Sequence, residues 1–147
     1  MHHPDHSCDI PISFGDCDPA QIVFYPNYFR WFDQCFHGFV QARFGGHQAL
    51  REALGARGVG LVDAGAQFLA PATAGDVMRL DMRIGDWTPL TLRLDYVGHI
   101  GDRRILTGHE QRAVFMDRDG EPGAPHGGQL RAGKTDRLRA LLTPDQG

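Results

Sequence analysis

Apolar and polar residues alternate from Ile10 through Ile12 to Phe14, the period of a half-buried strand. The alternation stops at Asp16-Cys17-Asp18-Pro19, whose composition is that of a turn. From Pro26 the period changes: Tyr28, Trp31, Phe32, Cys35, Phe39 and Ala42 recur at helical spacing, and Phe29, Phe36 and Val40 widen the stripe beyond what a surface helix needs. Pro26 or Asn27 opens this helix and Gly45-Gly46 closes it, which gives roughly 17 to 19 residues and a rise of about 25 to 28 Å. A shorter helix is expected over 47–57, stopped by Gly58.

Beyond Gly58 the period returns to two. Residues 61–69 read as a strand with small side chains at Ala64, Gly65 and Ala66, closed by Pro71. Met78, Leu80, Met82 and Ile84 alternate with Arg79, Asp81 and Arg83, and Leu90, Leu92, Leu94 and Tyr96 alternate with Thr91, Arg93 and Asp95. Turns at Gly85-Asp86 and around Gly98 to Asp102 lead to a further strand over 104–116. Asp117-Arg118-Asp119-Gly120 reads as a last turn, followed by a Pro/Gly-rich connection and a short amphipathic helix around 135–142. One strand, one long apolar helix and a meander of strands make an α+β domain in which a curved antiparallel sheet wraps the helix.

The 147 residues suit one domain over 8–147, preceded by a polar, His-rich tail over 1–7 that is expected to be disordered. A net charge of -3 with scattered Lys and Arg argues against nucleic acid as a partner. No apolar run is long enough to span a bilayer, and no signal segment opens the chain, so a cytoplasmic location is expected. Cys8, Cys17 and Cys35 are odd in number and lack C-x-x-C spacing, which fits a reduced compartment and speaks against a zinc ribbon.

The chemistry concentrates where strand, aspartate turn and helix start meet. The first amides of a helix lack intrahelical partners and lie at the positive end of its dipole, so they can hold a carbonyl oxygen that becomes negative during attack. A carboxylate at the same place can act as nucleophile or general base. Asp18 is the candidate, while Asp16, two residues away, points elsewhere in extended geometry and is expected to order the loop. A D-x-D pair can also bind magnesium, but the parallel α/β pattern that accompanies such sites is missing. Cys17, between two carboxylates, is expected to be a poor nucleophile. His37, His99 and His109 have no catalytic spacing. Trp87 is expected in a turn between strands, where it could pack on an acyl or adenine group.

Phe14-Gly15-Asp16-Cys17-Asp18-Pro19-Ala20 followed by Ile22-Val23-Phe24-Tyr25-Pro26-Asn27-Tyr28 resembles the signature of the 4-hydroxybenzoyl-CoA thioesterase family, and the order of elements resembles the hotdog fold. The resemblance implies an acyl-CoA thioesterase that needs no metal or other cofactor. It implies catalysis by Asp18, polarisation of the thioester carbonyl by the Tyr25 amide, and contact of Asp33 with a ring hydroxyl from across a subunit interface. It further implies homodimers pairing into a homotetramer. The chain departs from the family pattern at Gln21, where glycine is usual, and from a related branch at Tyr25, where histidine is usual. A noncatalytic acyl-CoA-binding module on the same fold is the alternative.

Overall fold

The computed structural model describes residues 3–117 and 130–143. Its elements are β1 (His6–Pro11), a 3-10 turn (Phe14–Asp16), α1 (Pro26–Phe44), α2 (His47–Leu54), β2 (Gly58–Phe68), β3 (Val77–Trp87), β4 (Leu92–Ile100), β5 (Arg103–Asp117), β6 (Leu130–Gly133) and α3 (Asp136–Leu142). The strands form one six-stranded sheet in the order β1-β3-β4-β5-β2, with β6 beside β5. All pairings are antiparallel. This is the α+β arrangement expected, with the sheet laid against α1.

Helix α1 is 19 residues long, begins with Pro26 in its first turn and ends at Gly45 in the left-handed conformation that glycine tolerates. Phe32, Cys35, Phe36 and Val40 are fully buried along it. They meet Leu80, Met82, Leu94, Tyr96 and Leu106, the inward positions of β3, β4 and β5. Phe32 stacks flat on Tyr96 at 4.4 Å between ring centroids. Gly108 makes that seat possible, because a Cβ there would collide with the Phe32 ring.

Several boundaries differ from the sequence expectation. The tail is shorter than 1–7: His6 and Ser7 belong to β1, and the Asp5 amide donates to the Met82 carbonyl at 2.8 Å. Phe14 leaves the strand pattern for the 3-10 turn and is 87% exposed. Helix α2 stops at Gly55, which adopts φ 62, rather than at Gly58, and β2 begins at Gly58. Leu90 lies outside β4 and is exposed. Trp87 is the last residue of β3, not part of a turn. Strand β6 was not expected; it continues the sheet beside β5 beyond Arg112, where pairing with β4 ends. Of the turn expected at 117–120, all but Asp117 lies outside the described residues.

On the outer side of the sheet one carboxylate ties three strands together. Asp81 of β3 accepts from the Ser7 hydroxyl of β1 at 2.6 Å and from Arg79 Nε at 3.0 Å, and pairs with His99 Nε2 of β4 at 3.0 Å. Burial opposes its ionisation, but the hydrogen bonds from Ser7, His99 and Arg79 prevail and bring its pKa down to about 2. A depressed carboxylate contributes stability that is present above its unfolded pKa and is lost as pH falls through the folded one. Asp81→Asn is therefore expected to lower stability by about 1 to 2 kcal/mol at pH 7 and by much less near pH 2, as read from urea midpoints at the two pH values. An equal loss at both would remove the carboxylate charge from the account.

Candidate active site

Beyond β1 the chain leaves the sheet, and backbone bonds stitch it into a compact loop. Ile12 N-H donates to the Asp76 carbonyl and Gly75 N-H to the Ile12 carbonyl, each at 2.9 Å. Asp16 then acts as the clamp expected of it. Its Oδ2 accepts from the Ser13 amide and hydroxyl, both at 2.9 Å, while its carbonyl accepts from the Phe24 amide and Asn27 Nδ2 at 2.9 Å. Arg30 reaches its other carboxylate oxygen at 3.4 Å.

Inside that clamp, Asp18 opens a tight reversal. Its amide donates to the Ile22 carbonyl at 2.9 Å, its carbonyl accepts from Gln21 N-H at 2.8 Å, and Cys17 bridges to Val23. Gln21 takes φ 67, and among the described residues it is the one non-glycine residue with positive φ. Its carbonyl is held by the Thr73 hydroxyl at 2.8 Å. The turn does require the left-handed conformation, then, and glutamine adopts it under restraint from a neighbouring segment. The Asp18 carboxylate accepts from the Ala20 amide through Oδ1 at 2.8 Å. Among the described residues Oδ2 has no partner.

The helix start supplies a donor by elimination. Pro26 has no N-H. The amides of Asn27 and Tyr28 are engaged by the Phe24 and Tyr25 carbonyls at 3.0 and 3.1 Å. The Tyr25 amide has no acceptor among the described residues, and it stands at the N-cap of α1, where the helix dipole adds positive potential.

Asp18, Tyr25 and Tyr28 line one cleft with Phe68, Leu69 and Ala72, about 520 Å³ in volume. Its walls are aromatic: Phe68 packs against Tyr28 at 5.6 Å and against Tyr25 at 6.3 Å between centroids. The cleft is open, with Tyr25 59% and Phe68 51% exposed. Small apolar ligand sites have this character: greasy walls and a few placed polar groups.

The other two sequence candidates stand elsewhere. Asp33 projects from α1 about 12 Å along the axis from Tyr25 and does not line the cleft. Its Oδ1 accepts from Arg112 Nη2 at 2.9 Å and lies 3.3 Å from His37 Nε2. Trp87, expected to pack on substrate, does not line the cleft either. It is half-buried at the end of β3, with the Arg139 guanidinium of α3 at 5.9 Å from its ring. The Thr135 hydroxyl and amide clasp the Thr88 and Pro89 carbonyls beside it. His99 and His109 are paired with Asp81 and Asp63, as ordinary hydrogen-bonded histidines.

No family model matches the chain. The chain is 30% identical over 141 residues to the 4-hydroxybenzoyl-CoA thioesterase of Pseudomonas sp. (strain CBS-3), a match that covers 90% of this chain and 87% of that protein. The chain belongs to the 4-hydroxybenzoyl-CoA thioesterase family. The solved structure of that thioesterase superposes with a TM-score of 0.77 at 26% identity, over 92% of this chain and 96% of that one. A gentisyl-coenzyme A thioesterase matches at 31% identity and a TM-score of 0.64, over 72% of this chain and 86% of its own. An aspartate-to-asparagine mutant of a 4-hydroxybenzoyl-CoA thioesterase, complexed with 4-hydroxybenzoyl-CoA, matches at a TM-score of 0.76 and 26% identity, covering 92% of this chain and 96% of its own. The fold is the hotdog fold.

Sequence reasoning missed Phe68, Thr73 and Arg112. The last was detectable: with β5 alternating, Gly108, Glu110, Arg112 and Val114 share a face, so two charges stand at inward positions. They form a pair at 3.1 Å, both fully buried, and Arg112 stacks on Phe36 at 4.1 Å.

The strain at Gln21 yields a test. A left-handed conformation costs an L-residue about 1 to 2 kcal/mol, against about 0.5 to 1 kcal/mol of extra chain entropy lost by glycine. Gln21→Gly is expected to leave thermal stability unchanged or to raise it by up to about 1 kcal/mol, and Gln21→Val to lower it by at least about 1 kcal/mol. Stabilisation by valine would mean that the turn does not impose the positive φ.

Proposed function

We propose that this member of the family hydrolyses an aromatic acyl-CoA thioester, 4-hydroxybenzoyl-CoA or a close analogue, to the acid and coenzyme A. That it is an acyl-CoA thioesterase follows from its relatives. The aromatic acyl group and the residue roles are our reading. The observation that carries it is the meeting of a carboxylate and an unengaged helix-start amide in one aromatic-walled cleft. The thioester carbonyl accepts from Tyr25 N-H, whose positive environment stabilises the oxyanion as it forms. Asp18, with Oδ1 fixed by the Ala20 amide, uses Oδ2 to attack the carbonyl carbon or to take a proton from an attacking water. The thiolate of coenzyme A then leaves; where Asp18 has attacked, water cleaves the resulting acyl-aspartyl anhydride, which releases the acid and restores the carboxylate. No metal or redox cofactor enters these steps.

Asp33 recognises the ring hydroxyl in the site of a neighbouring copy. Supporting this, its carboxylate is 49% exposed, and Arg112 fixes one oxygen while the other has no partner among the described residues. The chain acts as a homodimer or homotetramer. Strand β2, an 11-residue sheet edge bearing exposed Leu61, Val62 and Phe68, supports that assembly. No helix among the described residues is long and apolar enough to cross a membrane. Together with free Cys8, Cys17 and Cys35, we read the location as cytoplasmic.

Release of free thiol from 4-hydroxybenzoyl-, benzoyl- and medium-chain acyl-CoA measures the reaction. Asp18→Asn is expected to cut kcat by at least about 100-fold, with little change in melting temperature, since the side chain makes one loop contact. Wild-type turnover in this variant would discard the mechanism. Absence of hydrolysis by folded wild type would select the noncatalytic acyl-CoA-binding reading. Asp33→Ala is expected to raise KM for 4-hydroxybenzoyl-CoA about tenfold while leaving benzoyl-CoA nearly unaffected. Equal effects on both substrates would remove Asp33 from ring recognition.

A further inference from the structure

The His-rich start of the chain is not only a tail. β1 carries His6 and Cys8 two residues apart, hence on the same face of the strand, and Cys35 faces them from the middle of α1. The His6 ring nitrogen and the two sulfurs all lie within 4.8 Å of one another. We propose that His6, Cys8 and Cys35 form a binding site for one thiophilic divalent cation, zinc by chemistry, joining β1 to the central helix.

Three features carry the proposal. The donor set is soft sulfur plus imidazole, the combination that zinc takes in tetrahedral sites at about 2.3 Å from sulfur and about 2.0 Å from nitrogen. Ligand atoms around such an ion stand about 3.5 to 3.8 Å apart, so the cluster needs to contract by about 1 Å. The His6 and Cys8 side chains are only partly buried and have room to adjust, whereas Cys35 is fully buried. Second, charge balances: two thiolates and a divalent ion sum to zero, which a dry helix-sheet boundary accommodates, whereas either thiolate alone would be costly there.

Third, room has been left for the imidazole. Gly38 stands three residues after Cys35 on α1, and a Cβ there would meet His6 Nε2 at 3.1 Å. Mid-helix glycine costs about 1 kcal/mol relative to alanine, and here it lets the ring lie against the helix beside Cys35. The fourth coordination place falls to solvent on the half-exposed side of His6 and Cys8. Cys35 lies about 10 Å along the helix axis from Tyr28, so the ion stands apart from the Asp18 cleft and takes no part in the proposed hydrolysis.

The test is Cd²⁺ titration of the reduced, anaerobic full-length chain, followed by thiolate-to-metal charge-transfer absorption and by melting temperature. One Cd²⁺ per chain, a charge-transfer band and a raised melting temperature are expected. Cys8→Ser and Cys35→Ser are each expected to lose the band and at least about tenfold in affinity. Because Cys35 is in the core, Cys8→Ser is the decisive variant, with circular dichroism to establish that it is folded. His2→Ala/His3→Ala is expected to bind as wild type does. No band in wild type would overturn the site, and so would binding that survives Cys8→Ser but is lost with His2 and His3.

Discussion

The flat stack of Phe32 on Tyr96 decides where the central helix lies, and most other features follow from that placement. A 19-residue helix with phenylalanines on several faces cannot sit on a surface. It is held because β5 presents no side chain at Gly108 and β4 presents a ring parallel to Phe32 within 9°. The Tyr96 hydroxyl donates to Glu110 at 2.7 Å and also lies 3.1 Å from the Phe32 carbonyl. Glu110 in turn neutralises Arg112, which reaches Asp33 on the helix and the Val59 carbonyl on β2. A pair as deep as Glu110–Arg112 adds little net stability over an apolar core, but removing either of these two leaves an uncompensated charge at about 3 to 5 kcal/mol. The network therefore fixes the rotation of α1 more than it strengthens the fold, and rotation is what aims the helix start at the cleft.

The loop before that start is built on a different basis. It has little apolar burial beyond Ile12 and Val23, and it depends on backbone bonds to Asp16, Asp76 and Ala72. Strain at Gln21 is tolerated because Thr73, on the segment joining β2 and β3, holds its carbonyl. The same segment, 69–72, forms one wall of the cleft. Loop shape and pocket shape are thus coupled through one short stretch of chain.

The long helix, the alternating strands and the Asp18–Tyr25 stretch were legible in the sequence because each carries a local signal: a period, a capping glycine, a proline at a helix start. Asp16 as a clamp was legible for the same reason. What was not legible depended on partners far along the chain. His6 and Ser7 read as tail because their strand character comes from pairing with Met82 and Asp81 and not from their own side chains. Trp87 read as a turn residue because Gly85-Asp86 looks like a turn, yet β3 passes through both with an irregularity in its pairing to β4. Phe68 became a cleft wall only when the end of β2 met the start of α1, a contact that no spacing encodes.

The helix start has one more consequence. Helix N-termini that present several unengaged amides are good holders of anions, because the donors converge on one charge. Here proline removes one donor and two short backbone bonds engage the next two, so the Tyr25 amide stands alone beside the Asp18 carboxylate. A neutral carbonyl gains from such a donor, whereas a carboxylate formed in its place meets a single hydrogen bond and a neighbouring negative charge. In the hydrolysis proposed above, the arrangement that receives the thioester is thus ill suited to retain the acid. On that proposal its poverty of donors favours turnover, because the charge that hydrolysis creates weakens the hold on the product.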